Sequence, residues 1–178
     1  KEKIIGNYSE AKFSNMANLY NSLILAKNEN NDLIYFVEDD YIHTKLSILE
    51  MLFSYEKFSS IFKKEIFLLP ADYPYLYAKN SYTKIFLGHK THWRLVSESL
   101  VTFLTSKEIV TSYLDNFMKM ATEWKDPWEA PLHKIYEKVP CFSPVPSLSM
   151  HCANINSEYG LPPNINWKKI WDESNDYK

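Results

Sequence analysis

The order of apolar and polar positions along the chain predicts an alternation of strands and helices. Lys3-Ile4-Ile5 has the form of a strand end, and Asn7 to Ser9 supply capping side chains. Phe13, Ala17, Tyr20 and Ile24 then recur at helical spacing as far as about Lys27. Polar turn residues, Asn28 to Asp32, precede the continuous apolar run Leu33 to Val37, the pattern of a strand covered on both faces. Thr44 can cap a second helix bearing Ile48, Leu49, Leu52, Phe53 and Tyr55, and Ile66 to Leu69 forms another apolar strand stopped at Pro70. Strand, helix, strand, helix, strand predicts an α/β fold with a mostly parallel, Rossmann-like sheet and helices on both faces.

After Leu69 the rhythm changes, and a smaller antiparallel portion is expected in the C-terminal half. Lys84 to Leu87 and Ser99 to Leu104 read as short strands around the polar-aromatic stretch His89 to Ser97. Thr105-Ser-Lys-Glu108 has the form of a capping box before Ile109, Tyr113, Phe117 and Ala121. Asp126-Pro127-Trp128-Glu129 resembles a second helix start, with aspartate at the cap and proline in the first turn. In Ser147 to His151 strand alternation puts Ser147, Ser149 and His151 on one face and Leu148 and Met150 on the other. Trp167, Ile170 and Trp171 form the stripe of a packing helix before an acidic, frayed end.

Length and composition narrow the picture. The 178 residues fit one domain, 46% of them hydrophobic and 16% aromatic with only three glycines, which excludes a low-complexity chain. Basic and acidic residues nearly balance, at 20 and 22, with no lysine block able to track phosphates, so nucleic acid is not an expected partner. No apolar run approaches the roughly 20 residues of a membrane span, and the first residues lack a signal peptide's apolar core. Two cysteines, Cys141 and Cys152, read as thiols in a reducing compartment. A cytoplasmic location, at most peripheral to a membrane, is the expectation.

Chemistry concentrates where the second strand ends. Glu38, Asp39 and Asp40 are three adjacent carboxylates with no neighbouring lysine or arginine, placed at the carboxyl edge where α/β sheets bind ligands. Burial and mutual repulsion disfavour their ionised forms unless a cation compensates. Hard Mg²⁺ or Mn²⁺ would do so with only one or two protein ligands if a diphosphate and waters supplied the rest. The bland alternative is a solvated turn that complements the dipole of the following helix.

In ordered combination these pieces resemble the GT-A family of nucleotide-sugar glycosyltransferases. An asparagine-bearing helix (residues 6–28) precedes an apolar strand ending in a DxD-type motif, Glu38-Asp39-Asp40. The helix start WKDPWEAPLHKIY and the proline-rich SPVPSLSMHCANINS follow in order, so the likeness covers roughly residues 4–157. It implies Asp40 and His151 as metal ligands and Glu38 and Asp39 as further donor-binding residues. It also implies a catalytic base among Glu129 and Asp126, with Glu129 preferred. Arg94 would neutralise the donor diphosphate or an acidic sugar, while Asp72, Trp93 and Trp128 would shape the acceptor site. Cofactor and partners follow: Mn²⁺ or Mg²⁺, a nucleotide-sugar donor, and a glycan or lipid-linked acceptor. Residues 1–72 would form the nucleotide-sugar and metal half, 73–159 the acceptor and catalytic half, and 160–178 a packing helix and tail. The family's first strand and helix have no counterpart before Lys3, so the expectation includes a piece of a longer enzyme. A metal-dependent phosphoesterase or nucleotidyltransferase, and a non-catalytic GT-A-like domain, are the alternatives.

Overall fold

The computed structural model describes residues 11–78, 82–123 and 128–175. The predicted strand at Lys3 to Ile5 and the residues Trp124 and Asp126 lie outside them. Helix α1 (Ala11–Asn28) buries Met16, Leu19, Leu23 and Ala26 against α4 (Lys107–Ser112) and α5 (Leu114–Thr122). The buried stripe is one position round from the predicted one, with Ala17, Tyr20 and Ile24 on its margin.

Six strands form the main sheet in the order β1 (Leu33–Phe36), β6 (Phe103–Ser106), β3 (Phe67–Leu68), β7 (Cys141–Val145), β5 (His92–Val96), β4 (Ile85–Leu87). Among the described residues only β3 and β7 pair in parallel, and the other four pairings of this sheet are antiparallel. The fold is therefore α/β with a mixed sheet, and the expected mostly parallel sheet is corrected. The reason is β6. It inserts antiparallel between β1 and β3, with Leu104 opposite both Tyr35 and Leu68, so two strands of like direction are kept apart.

Alternation along the central strands builds two cores. Phe67, Phe103 and Cys141 face a cluster completed by α1, α4, α5 and α6 (Ala130–Tyr136), whereas Leu68, Leu104 and Phe142 face one completed by α2 (Ser47–Phe62). Helix α2 meets the second cluster through Met51, Tyr55 and Phe58. Four of its predicted apolar residues, Ile48, Leu49, Leu52 and Phe53, point outward instead. The side chain of Thr44 does not cap this helix; Leu46 occupies the cap position, and Thr44 contributes its carbonyl to Ser47 N–H at 3.1 Å.

The stretch His89 to Ser97, expected to be irregular, contains β5. Its preceding turn is organised by a buried carboxylate: Glu50 of α2 accepts from the backbone N–H groups of His89, Lys90 and Thr91 at 2.9–3.1 Å. Gly88 is needed there, since a Cβ would lie 2.3 Å from Ser54 Oγ and from Trp93 Nε1. The capping box is also displaced by one residue. Thr105 lies in β6, where its hydroxyl donates to Ile66 O, and Ser106 caps α4 by accepting from Ile109 N–H at 3.2 Å.

A separate two-stranded ribbon pairs β2 (Tyr41–His43) with β8 (Ser149–His151), placing Tyr41 opposite His151. The short α3 (Tyr75–Ala78) and the C-terminal α7 (Trp167–Asn175) complete the described elements; α7 packs on β2 and buries Ile170, leaving Trp167 and Trp171 half exposed. Among the described residues no helix is long and apolar enough to cross a membrane. Both cysteines are free thiols.

Candidate functional site

The carboxylate triplet forms the turn between β1 and β2, and the ribbon brings β8 to it. Pairing Tyr41 with His151 carries the histidine beside the preceding residue, so His151 Nε2 stands 3.1 Å from Asp40 Oδ2 across 111 residues of chain. The imidazole is held firmly. Its Nδ1 donates to the carbonyl of Tyr159 at 2.8 Å, and the Tyr41 ring stacks on it with centroids 4.8 Å apart. Cys152 N–H donates to Asp40 O at 2.7 Å, closing the turn onto the ribbon.

This arrangement has a chemical consequence. With Nδ1–H committed to a carbonyl, a neutral imidazole presents only its Nε2 lone pair to the carboxylate, and two lone pairs at this range repel. A positive species is required between them, either a proton or a metal ion. The other carboxylate oxygen, Asp40 Oδ1, is buried with no hydrogen-bond partner. A carboxylate oxygen and an imidazole nitrogen suit Mn²⁺, and a backbone carbonyl behind the far ring nitrogen is the usual support for a ligating histidine. The residues therefore fit a divalent cation that takes its remaining ligands from phosphate and water. They do not make a closed cage: among the described residues no three His, Cys, Asp or Glu side chains gather as one.

Glu38 is a different kind of carboxylate. Its N–H donates to Thr102 Oγ1 at 3.0 Å, and the Thr102 hydroxyl donates to Oε2 at 3.3 Å. Burial, and then the neighbouring charge of Asp40, push its pKa up to about 7, with His151 and Thr102 opposing the rise and Glu129 adding to it. Asp39 is exposed at the apex.

A cleft of about 620 Å³ opens beside the triplet, walled by Asn15, Asn18 and Ser22 of α1, by Tyr35, and by Trp128. The Trp128 indole N–H donates to Met120 O at 2.5 Å, which fixes the ring at the cleft wall. Glu129 follows it as the N-cap residue of α6. Its side chain makes no capping hydrogen bond, and its carbonyl accepts from Leu132 and His133 N–H. The expected helix start at Asp126 and Pro127 lies outside the described residues; the described helix α6 begins at Ala130 after its cap residue Glu129, with Pro131 in the first turn.

Three sequence-level candidates stand elsewhere. Arg94 and Asp72 form a buried ion pair at 2.7 Å, with the Tyr77 hydroxyl donating to the second Asp72 oxygen and the Tyr77 ring 4.2 Å from the guanidinium. Asp72 is fully buried, and burial raises its pKa despite these partners. Its expected part in acceptor binding is corrected accordingly. Arg94, expected to neutralise the donor diphosphate or an acidic sugar, is paired with Asp72 and lines a second cavity of about 730 Å³ with Tyr75 and Lys84 rather than the cleft beside the triplet. Trp93 is fully buried against Phe58, with no face open to a sugar. Sequence reasoning missed Thr102 and the Tyr159 carbonyl. An isolated threonine and a backbone oxygen carry no pattern that would have marked them.

No protein-family model matches this sequence, and a search of curated proteins returned no match.

Proposed function

We propose that this chain is a metal-dependent glycosyltransferase domain of the GT-A type, transferring a sugar from a nucleoside diphosphate donor to a hydroxyl of a glycan or lipid-linked saccharide. The observation that carries the reading is the meeting of Asp40 and His151 at 3.1 Å, with the far ring nitrogen satisfied by Tyr159 and Asp40 Oδ1 left without a partner. In this reading Asp40 and His151 hold Mn²⁺ or Mg²⁺, which when bound neutralises charge on the departing diphosphate.

The chain's own residues do the rest. Asn15 and Asn18 offer amide donors and acceptors to the donor's polar groups along the cleft, and Trp128 offers an aromatic wall to the sugar. Glu129 takes the proton of the acceptor hydroxyl as that oxygen bonds to the anomeric carbon and the bond to the diphosphate breaks. This route inverts the anomeric centre.

A thermal-shift series tests the reading. Stabilisation by UDP or GDP that requires Mn²⁺ supports it. Metal binding indifferent to the nucleotide would replace it with a phosphoesterase, and no response to either would leave a silent domain.

A further inference from the structure

The outward side of α2 carries an apolar stripe that the described chain covers only at one edge, where the His89 ring lies 4.8 Å from that of Phe53. Leu46, Ile48, Leu49, Leu52 and Phe53 are each between 40% and 56% exposed. Positions 48, 49, 52 and 53 share one side of a helix, and the opposite side is already used on the core by Met51, Tyr55 and Phe58. Single exposed leucines are ordinary; a contiguous set on one helix marks a contact surface.

The ends of the stripe indicate what covers it. Lys45 lies in the turn just before the Leu46 cap of α2, and Glu56 one helical turn after Leu52 and Phe53; both are exposed. Neither takes part in an ion pair among the described residues. The two charges are equally far in sequence from the midpoint of the stripe, Lys45 in the turn that leads into the helix and Glu56 within it. Two copies of α2 laid antiparallel about a two-fold axis through that midpoint match Ile48 with Phe53, Leu49 with Leu52, and Lys45 with Glu56 of the second copy. An isologous interface requires this kind of self-complementarity. An anionic bilayer would call for a collar of cations, whereas here the stripe ends in opposite charges. Beyond the end of the helix, Lys63 and Lys64 share a surface hollow with Glu56, Glu65 and Glu108 of α4.

We propose that the outward face of α2 is the interface of a two-fold dimer of this chain. The dimer stands independently of the transferase reading. Sedimentation velocity on the full chain across the micromolar range tests it, because all the substituted side chains are exposed and the fold can be checked by circular dichroism. Wild type is expected to show a concentration-dependent monomer–dimer equilibrium. Lys45→Glu and Glu56→Lys should each weaken it by about tenfold, since each converts two attractive contacts into repulsive ones. The double reversal Lys45→Glu/Glu56→Lys should restore it, and Phe53→Glu should abolish it. A wild type that stays monomeric throughout, or a dimer indifferent to the single reversals, overturns the proposal. So does a monomer that floats with phosphatidylglycerol vesicles and loses this with Phe53→Glu, an outcome that assigns the stripe to lipid.

Discussion

Replacing Glu38 by glutamine should stabilise the metal-free protein, and only at neutral to alkaline pH. The carboxyl is raised from the ordinary 4.5 to about 7, first by burial and second by Asp40. Below pH 4.5 the group is protonated in both folded and unfolded chains and contributes no pH-dependent difference. Between 4.5 and 7 the unfolded chain releases the proton while the folded one keeps it, so stability falls as pH rises; above 7 the full cost is present. At about 1.4 kcal/mol per pH unit the ceiling is about 3 kcal/mol. Water reaching the partly open side chain reduces this to about 1–2 kcal/mol. Glutamine keeps an oxygen to accept from Thr102 and removes the charge. In EDTA, urea midpoints should be nearly equal for wild type and Glu38→Gln at pH 4.5, and the variant should lead by about 1–2 kcal/mol at pH 8, or about 2–8 °C in Tm. A gap of the same size at both pH values, or a less stable variant at pH 8, would show that the triplet is not held at an electrostatic cost.

The remaining predictions concern the neighbouring groups. Asp40→Asn should weaken Mn²⁺-dependent UDP or GDP binding by more than about 100-fold, measured by calorimetry, while leaving the melting curve close to wild type. Glu129→Gln should bind donor normally and lose about 10²–10⁴-fold in transfer rate; an active variant would move the base role elsewhere. Glu50→Ala should cost about 2–4 kcal/mol in urea unfolding, because the N–H groups of His89, Lys90 and Thr91 lose their shared acceptor.

Much of the candidate site was legible because its chemistry is local in sequence. Three carboxylates after an apolar strand announce a charged strand end whatever the rest of the chain does, and alternation in Ser147 to His151 put the histidine on the side of the serines. The failures were of two kinds. Trp93, Arg94 and Asp72 looked available because aromatic and charged residues at short range resemble a ligand loop, yet tertiary packing buried the indole and matched the two charges to each other. In α2, apolar residues occur on two sides of the helix, so periodicity alone could not decide which side met the sheet. The core took the side containing Met51, Tyr55 and Phe58, and Glu50, buried on that side with Ser47 and Ser54, is satisfied by the backbone donors of the turn at 89–91.

The amino-acid sequence by itself determined the existence of most elements, the alternating strands and helices of the first half, and the accumulation of negative charge at Glu38 to Asp40, since these follow from side-chain period and covalent neighbourhood. Only the tertiary structure decided that β6 enters antiparallel between β1 and β3, and that residues 40 and 151 meet. Strand partners are chosen by the packing of both sheet faces at once, through contacts between residues far apart in the chain, and no local pattern encodes that choice.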